Sequence, residues 1–193
     1  ANLVKMAPDE KIATLQTIKD FPRFDGERFV VMGTRSGIVK KTDLRAFRHT
    51  RSDGIIAARV RSDDAVVGAE LSDGKGQVFL GTREGKAIRF SEANVRPTGR
   101  TTLGVRGIRL RNGDEVVTMA VVRPGGTLLS VTENGYGKRT PIEEYRVQSR
   151  GGVGIINIHA SDRNGPVVGV EYIDDEENEV MIITQQGKVL RTQ

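Results

Sequence analysis

Thr34-Arg-Ser-Gly37 recurs three more times along this chain of 193 residues, with changes only at its two middle positions. The other copies are Thr82-Arg-Glu-Gly85, Thr132-Glu-Asn-Gly135 and Thr184-Gln-Gln-Gly187. Their glycines are 48, 50 and 52 residues apart. Periods of this size are typical of propellers, solenoids and other arrays, so the chain must be interpreted as a repeat before any single residue is.

Two other sets of residues repeat with the same period. Gly54, Gly104 and Gly154 are each followed by a β-branched residue, and valine pairs begin at Val66, Val116 and Val167. We therefore expect residues 1–193 to form a single domain of units about 50 residues long, with a partial first unit at 1–24.

Each Thr-x-x-Gly motif lies between two segments with strand composition. Apolar, β-branched runs precede the motifs, as in buried strands, and glycine can adopt the positive φ of a tight hairpin. The strands predicted before the motifs are 29–32, 77–80, 128–131 and 180–183. The return strands are predicted at 38–41, 86–89, 136–139 and 188–191.

A short helical turn is predicted after the return strand, because Thr42, Ser91 and Thr140 are suited to cap one. Pro141 would occupy the first helical position of the third turn, and Glu143 would complete a capping box. Further strands are predicted at 55–60, 105–110 and 155–160, then at 65–71, 115–122 and 167–173.

The sequence thus predicts an all-β fold, a propeller-like repeat of about four four-stranded blades. Radial repetition is favoured because it leaves only short, protected sheet edges. Residues 12–18 fit the position of the valine-pair strand in an incomplete first unit, and the last hairpin ends the sequence. This pattern suggests circular closure, hairpin exchange between neighbours, or a piece of a longer array.

Positive charge is concentrated in one part of each repeat. The segments 38–51, 86–100, 136–150 and 188–193 hold 15 of the 30 Lys and Arg residues but only 4 of the 25 Asp and Glu residues. Equivalent segments of a radial repeat would form a basic band, which is the electrostatic footprint of a polyanion binder.

Several protein classes are disfavoured by composition. The chain has no cysteine, which excludes disulfides and thiolate metal sites, and no apolar run near the roughly 18 residues of a membrane span. His49 and His159 stand alone, Asp174–Glu177 lacks the spacing of a calcium loop, and Gly151–Gly154 lacks the context of a phosphate loop. We therefore predict no catalytic residue, no metal and no cofactor.

Three stretches carry a resemblance to a known family. Gly104-Val-Arg-Gly-Ile-Arg-Leu110, Asn134-Gly-Tyr-Gly-Lys-Arg-Thr140 and Glu144-Tyr145 resemble the C-terminal domain of the DNA gyrase A subunit. The resemblance implies a β-pinwheel, a disc whose blades exchange strands, with duplex DNA wrapped around its basic rim. The C-terminal domain of the topoisomerase IV A subunit is the near alternative. None of the three tyrosines has the winged-helix context of the family's DNA-cleaving tyrosine.

The defining motif of that family, the gyrase A box Gln-Arg-Arg-Gly-Gly-Lys-Gly, is present only in a degenerate form. Its residues here are Gln148, Ser149, Arg150, Gly151, Gly152, Val153 and Gly154. Ser149 and Val153 replace an arginine and a lysine of the box. A decayed copy is expected in a late blade, so we expect the chain to correspond to roughly the last four blades, with the box-bearing first blade missing or encoded upstream.

The basic residues that trail the return strands are the predicted DNA contacts. Their expected role is phosphate neutralisation, because a bent duplex offers backbone everywhere and one base sequence nowhere. The candidates are Lys40, Lys41, Arg45, Arg48, Arg51, Lys86, Arg89, Arg96, Arg100, Arg106, Lys138, Arg139, Arg146 and Arg150.

The resemblance implies a non-catalytic DNA-wrapping module that supports ATP-dependent negative supercoiling by a whole topoisomerase. Its expected partners are duplex DNA, the rest of the gyrase A subunit, and the gyrase B subunit. These partners would be met on nucleoid DNA in the bacterial cytoplasm and not at a membrane. Two alternatives remain open: a propeller whose basic band binds acidic proteins, and a propeller enzyme with a central active site.

Overall fold

Thirteen β-strands and three short 3₁₀ helices occur in the described part of the chain. The computed structural model describes residues 6, 10–22, 28–51, 54–111, 113–174 and 179–192. The strands are β1 Phe29–Thr34, β2 Ile38–Asp43, β3 Val66–Ser72, β4 Gln77–Thr82, β5 Lys86–Ser91, β6 Val105–Arg106, β7 Val116–Val122, β8 Thr127–Thr132, β9 Gly137–Pro141, β10 Ile155–Ile156, β11 Val167–Ile173, β12 Val180–Ile183 and β13 Val189–Thr192. The 3₁₀ helices are Leu44–Phe47, Glu92–Asn94 and Ile142–Glu144.

The strands form four antiparallel sheets, one per repeat unit. Their strand orders are β3-β1-β2-β6, β10-β5-β4-β7, β11-β8-β9 and β12-β13. All four hairpins predicted around the Thr-x-x-Gly motifs are confirmed, since β1–β2, β4–β5, β8–β9 and β12–β13 pair across them. The predicted strands 65–71, 115–122 and 167–173 correspond to β3, β7 and β11.

The fourth strand of a sheet comes from the following unit. Strand β6 lies 62 residues after the end of β2, yet it forms the outer edge beside β2, and β10 does the same beside β5. Exchange of strands between neighbours, which the resemblance implies, is therefore present, but the exchanged element is a single short strand and not a hairpin. The prediction of a full strand at 105–110 and at 155–160 is wrong, because each holds only two paired residues.

After β6 and after β10, the chain no longer pairs as a strand. Its backbone instead forms hydrogen bonds with a turn glycine of the preceding unit. The Gly37 carbonyl accepts hydrogen bonds from the backbone N–H of Gly107 at 2.7 Å and of Ile108 at 3.3 Å. The Gly85 carbonyl accepts them from Asn157 at 2.8 Å and Ile158 at 3.3 Å. This repeated pair of bonds attaches each unit to the one before it.

Two other strand predictions fail. Residues 55–60 and 12–18 contain no assigned strand, and 12–18 are exposed. No described strand pairs with either segment, so their largely apolar composition is not sufficient to make a strand. The apolar run of β12 is likewise not buried, because its hairpin is paired only with itself among the described residues.

The caps of the 3₁₀ helices agree with the sequence only in part. Ser91 caps the second helix through the Ala93 N–H, but Asp43, not Thr42, caps the first by accepting from the Arg45 N–H. Pro141 is the N-cap of the third helix and makes no side-chain cap bond. Glu143 instead accepts from the Gly125 N–H at 2.8 Å, so the predicted capping box is absent there.

The hydrophobic core lies between successive sheets. One buried cluster joins the first and second sheets, with Val31 and Val39 against Leu80 and Phe90. The next joins the second and third sheets, with Phe79 against the buried Tyr145 ring at a centroid distance of 5.4 Å. Residues of β3, β7, β11 and β12 line one cavity of about 480 Å³, as strands of a radial repeat do.

Gly85→Ala should destabilise the fold more than the matched change Gly135→Ala. Both turn glycines have a positive φ, of 77° and 83°, which costs an alanine about 1–2 kcal/mol. A Cβ at Gly85 would also collide with the Ile158 carbonyl oxygen, whereas at Gly135 nothing described lies within 4 Å. With overpacking added, we expect Gly85→Ala to lower the free energy of unfolding by about 2–5 kcal/mol.

Denaturant unfolding of the two variants measures this difference. Equal losses of stability would show that the contact of Gly85 with the next unit does not matter.

Candidate nucleic-acid interface

Two of the predicted DNA contacts lie at junctions between units. Lys41 and Arg89 both occupy the fourth position after a turn glycine, and they are only 4% and 9% exposed. The Lys41 ammonium donates to the Glu92 carbonyl at 3.0 Å and lies 3.5 Å from the Glu92 carboxylate. The Arg89 guanidinium donates to the Ile142 carbonyl at 2.5 Å. Each partner is the first residue of the next unit's 3₁₀ helix.

Lys40 is also buried, at 3% exposure. Its ammonium donates to the Ala57 carbonyl at 3.0 Å and to the Arg100 carbonyl. Burial, with a smaller effect of the Arg100 charge, lowers the pKa of Lys40 to about 8. Burial thus removes Lys40, Lys41 and Arg89 from the basic residues that can reach a phosphate in this conformation.

Two further candidates, Arg100 and Arg150, bind the preceding unit while remaining partly exposed. The Arg100 guanidinium donates to the Ile56 carbonyl at 2.8 Å, and that of Arg150 donates to the Arg106 carbonyl at 2.6 Å. These acceptors are 50 residues apart, so the contact is the same in both units. Arg150 also donates to the Asn94 carbonyl at 3.2 Å.

Three candidates share one position in the repeat and face solvent. Arg48, Arg96 and Arg146 each lie eleven residues after a turn glycine, and all three are exposed. Within the described part of the chain, their side chains make no hydrogen bond or ion pair. We call them the first arginine row.

The remaining candidates are exposed or half-buried and, apart from Arg139, lie at positions that are not basic in all three units. They are Arg45, Arg51, Lys86, Arg106, Lys138 and Arg139. Arg139 occupies the position of Lys41 and Arg89, but it is exposed and donates to the Thr127 hydroxyl at 2.8 Å. Their contact with DNA stays a prediction.

The degenerate box, residues 148–154, forms a loop that is attached to the second unit. The Gln148 N–H donates to the Arg89 carbonyl at 2.8 Å, and the Gly151 N–H donates to the Gly107 carbonyl at 2.7 Å. Gly154 has φ of 72°, and a Cβ there would meet the Ala87 carbonyl oxygen at 2.5 Å. Val153 is 58% exposed at the position where the family box carries lysine.

The tyrosine hydroxyls are engaged in structural hydrogen bonds. Tyr145 donates to the Asn157 side-chain carbonyl at 2.5 Å, and burial raises its pKa. Tyr172 donates to the Arg123 carbonyl at 2.8 Å. The Tyr136 hydroxyl accepts from Arg163 at 3.0 Å, with the guanidinium over its ring.

The described residues hold neither a metal-ligand cluster nor a membrane-spanning helix. They contain no group of three or more His, Asp or Glu residues able to hold a metal ion. They also contain no helix that is long and apolar enough to cross a membrane. The run Asp174–Glu177 lies mostly outside the described residues.

Comparison with known proteins decides the family. A family model described as the DNA gyrase C-terminal domain, β-propeller, matches residues 28–73, 76–123, 126–174 and 178–193. The chain belongs to this family. The matched ranges contain strands of all four sheets, and the match confirms the predicted propeller fold and the resemblance.

Curated relatives carry the name of the gyrase A subunit. The chain is 42% identical over 191 residues to the DNA gyrase A subunit of Escherichia coli K12, which covers 99% of this chain and 21% of that protein. The chain therefore spans about one fifth of the length of this relative.

Solved gyrase and topoisomerase IV domains have the same fold. The C-terminal domain of DNA topoisomerase IV superposes with a TM-score of 0.89 at 25% identity, over 98% of this chain and 58% of that one. A DNA gyrase A C-terminal domain superposes with a TM-score of 0.85 at 28% identity, over 98% of this chain and 62% of that one.

Sequence reasoning missed Glu92 as the partner of Lys41. Glu92 is completely buried, accepts from the Ser72 hydroxyl and pairs with an ammonium 51 residues away. A signal was present, because Glu92 is the one acidic residue in the basic segment 86–100. A lone carboxylate in such a segment points to an internal partner.

Lys40 should make stability depend on pH. Since its folded-state pKa of about 8 lies below the ordinary 10.5, the unfolded state binds more protons between these values. The free energy of unfolding should therefore rise with pH from about 8 to about 10.5, relative to Lys40→Met, which lacks this group. Denaturant unfolding of both proteins across that range gives the comparison. A difference that is flat with pH would contradict the lowered pKa.

Proposed function

We propose that this chain binds duplex DNA along its outer edge and wraps it without catalysing a reaction. The observation that carries the proposal is the first arginine row. Arg48, Arg96 and Arg146 repeat once per unit, are exposed and make no described side-chain bond, so their charges are available to an external anion. A regular series of positive charges matches the regular phosphates of a duplex.

The contacts would neutralise phosphates and would not read bases. Equivalent arginines on successive units meet the duplex at successive backbone positions, where every base sequence offers the same phosphate. Sequence preference would then come from how easily the DNA bends.

Family membership supports this assignment, because the relatives named above are gyrase A subunits and the matching solved structures are C-terminal domains of type II topoisomerases. In a whole enzyme, the wrapped DNA would be presented for strand passage during ATP-dependent negative supercoiling. The partners would be the rest of the A subunit, together with the B subunit, on nucleoid DNA in the bacterial cytoplasm. Gyrase is favoured over topoisomerase IV by the 42% identity to the gyrase A subunit.

Binding of an acidic protein is the second candidate function. The observation that favours it is the mixed charge of the turns, where Arg35 and Arg83 approach Glu115 at 3.8 and 3.9 Å. These pairs show a carboxylate as the partner of an exposed guanidinium, and the carboxylates of an acidic protein would offer the same contact.

Removing the first arginine row should weaken DNA binding and its salt dependence. Each lost phosphate contact lowers the slope of log K against log salt by about 0.9, so Arg48→Gln/Arg96→Gln/Arg146→Gln should lower it by about 2.7. Fluorescence anisotropy of a labelled duplex across a salt series measures the slope.

The matched control removes three exposed lysines outside the basic segments, in Lys11→Gln/Lys19→Gln/Lys75→Gln. Its net charge changes equally, so an equal loss would show that total charge, not the row, governs binding. Salt-insensitive binding to an acidic protein, with none to duplex, would support the second candidate.

Restoring the family's box should increase wrapping. Ser149 and Val153 are exposed, so Ser149→Arg/Val153→Lys adds two positive charges with little cost in packing. Ligation of nicked plasmid with increasing protein should give a larger positive shift in linking number for this variant than for the unaltered chain. A shift no larger than that of Ser149→Gln/Val153→Gln would contradict a wrapping role for the loop.

A further inference from the structure

A second set of exposed residues repeats outside the basic segments 38–51, 86–100, 136–150 and 188–193. Arg59, Arg109 and His159 are separated by intervals of 50 residues, and all three are exposed. Within the described part of the chain, the side chains of Arg59, Arg109 and His159 make no hydrogen bond or ion pair. We call these three residues the second row.

The backbone fixes the second row beside the loops that correspond to the box. The Arg109 N–H donates to the Gly152 carbonyl at 2.8 Å, inside the box loop. The Arg59 N–H donates to the Thr102 carbonyl at 3.3 Å, which is the equivalent place one unit earlier. The position of both arginines is therefore set by the same contact between units.

Arg150 connects the second row to the first. Its guanidinium donates to the carbonyls of Asn94 and Arg106, at 3.2 and 2.6 Å. Asn94 lies two residues before Arg96 of the first row, and Arg106 lies three residues before Arg109 of the second. Backbone carbonyls close in sequence to the two rows thus accept hydrogen bonds from the same guanidinium, that of Arg150.

We infer that the second row is a further phosphate-binding line, beside the box loop and its equivalent one unit earlier. This inference rests on the proposed function and deepens it. A duplex has two phosphate backbones, so two rows allow each unit to hold both strands, whereas one row would hold a single strand.

Other repeated arginines do not qualify. Arg35 and Arg83 share the Glu115 carboxylate. Arg61 and Arg111 also repeat and are exposed, but they precede Asp64 and Asp114, whose carboxylates accept N–H groups of the neighbouring turns. These fixed negative charges weaken attraction for a phosphate.

His159 makes the third position of the second row the weakest. An imidazole is shorter than a guanidinium and lacks its five donors, so it is less suited to a phosphate. The second row can therefore be tested both by removing positive charge, at Arg59 and Arg109, and by adding it, at His159.

The test compares Arg59→Gln/Arg109→Gln, His159→Arg and the unaltered chain, with Lys19→Gln/Lys75→Gln as the matched charge control. Anisotropy of a labelled duplex is measured across a salt series, and thermal melting checks that each variant folds. We expect the salt slope to fall by about 1.8 in the arginine variant and to rise by about 0.9 in His159→Arg. The lysine control should change the slope less.

Each outcome bears on one proposal. If the unaltered chain binds and the arginine variant matches it, or matches the lysine control, the second row is overturned and the proposed function stands. If His159→Arg binds no tighter, the row does not extend to the third unit. If the unaltered chain fails to bind duplex even at low salt, the proposed function fails as well.

Discussion

The structure depends on one backbone interaction, the donation of two consecutive N–H groups to the carbonyl of a turn glycine in the preceding unit. Gly37 and Gly85 each accept such a pair. A side chain at Gly85 would collide with the chain that donates, so glycine is required both for the turn and for the junction. The exchanged strands β6 and β10 lie directly before the donating residues, so they join the preceding sheet next to this attachment.

The hairpins could be predicted from sequence because everything that makes them is local. A Thr-x-x-Gly turn and two flanking β-branched runs lie within about fifteen residues of each other. The strand at 105–110 was overestimated for the opposite reason, since its bonding partner is Gly37, about 70 residues earlier in the chain. The composition of a segment indicates that it suits an extended backbone. It does not indicate which distant carbonyl will accept hydrogen bonds from its N–H groups.

The period indicates which basic residues are equivalent, but burial decides which of them are exposed. Arg48, Arg96 and Arg146 are exposed at one repeat position, as a basic band requires. Lys41 and Arg89 also share a position, yet both are buried, because the next unit places a carbonyl over them. Periodicity therefore identifies equivalent residues, and only the packing of the neighbouring unit tells whether they meet solvent or protein.

The two junctions at this position also differ chemically, although the backbone around them is alike. The first uses a lysine against a buried carboxylate, and the second uses an arginine against a main-chain carbonyl. The residues at each junction thus match one particular neighbouring unit. Exchanging the second and third units would set Lys41 against Ile142, which offers a carbonyl but no carboxylate, and would set Glu92 against Arg139. The residues at the junctions therefore favour one order of the blades. This preference limits how such a domain can gain or lose blades by duplication and deletion.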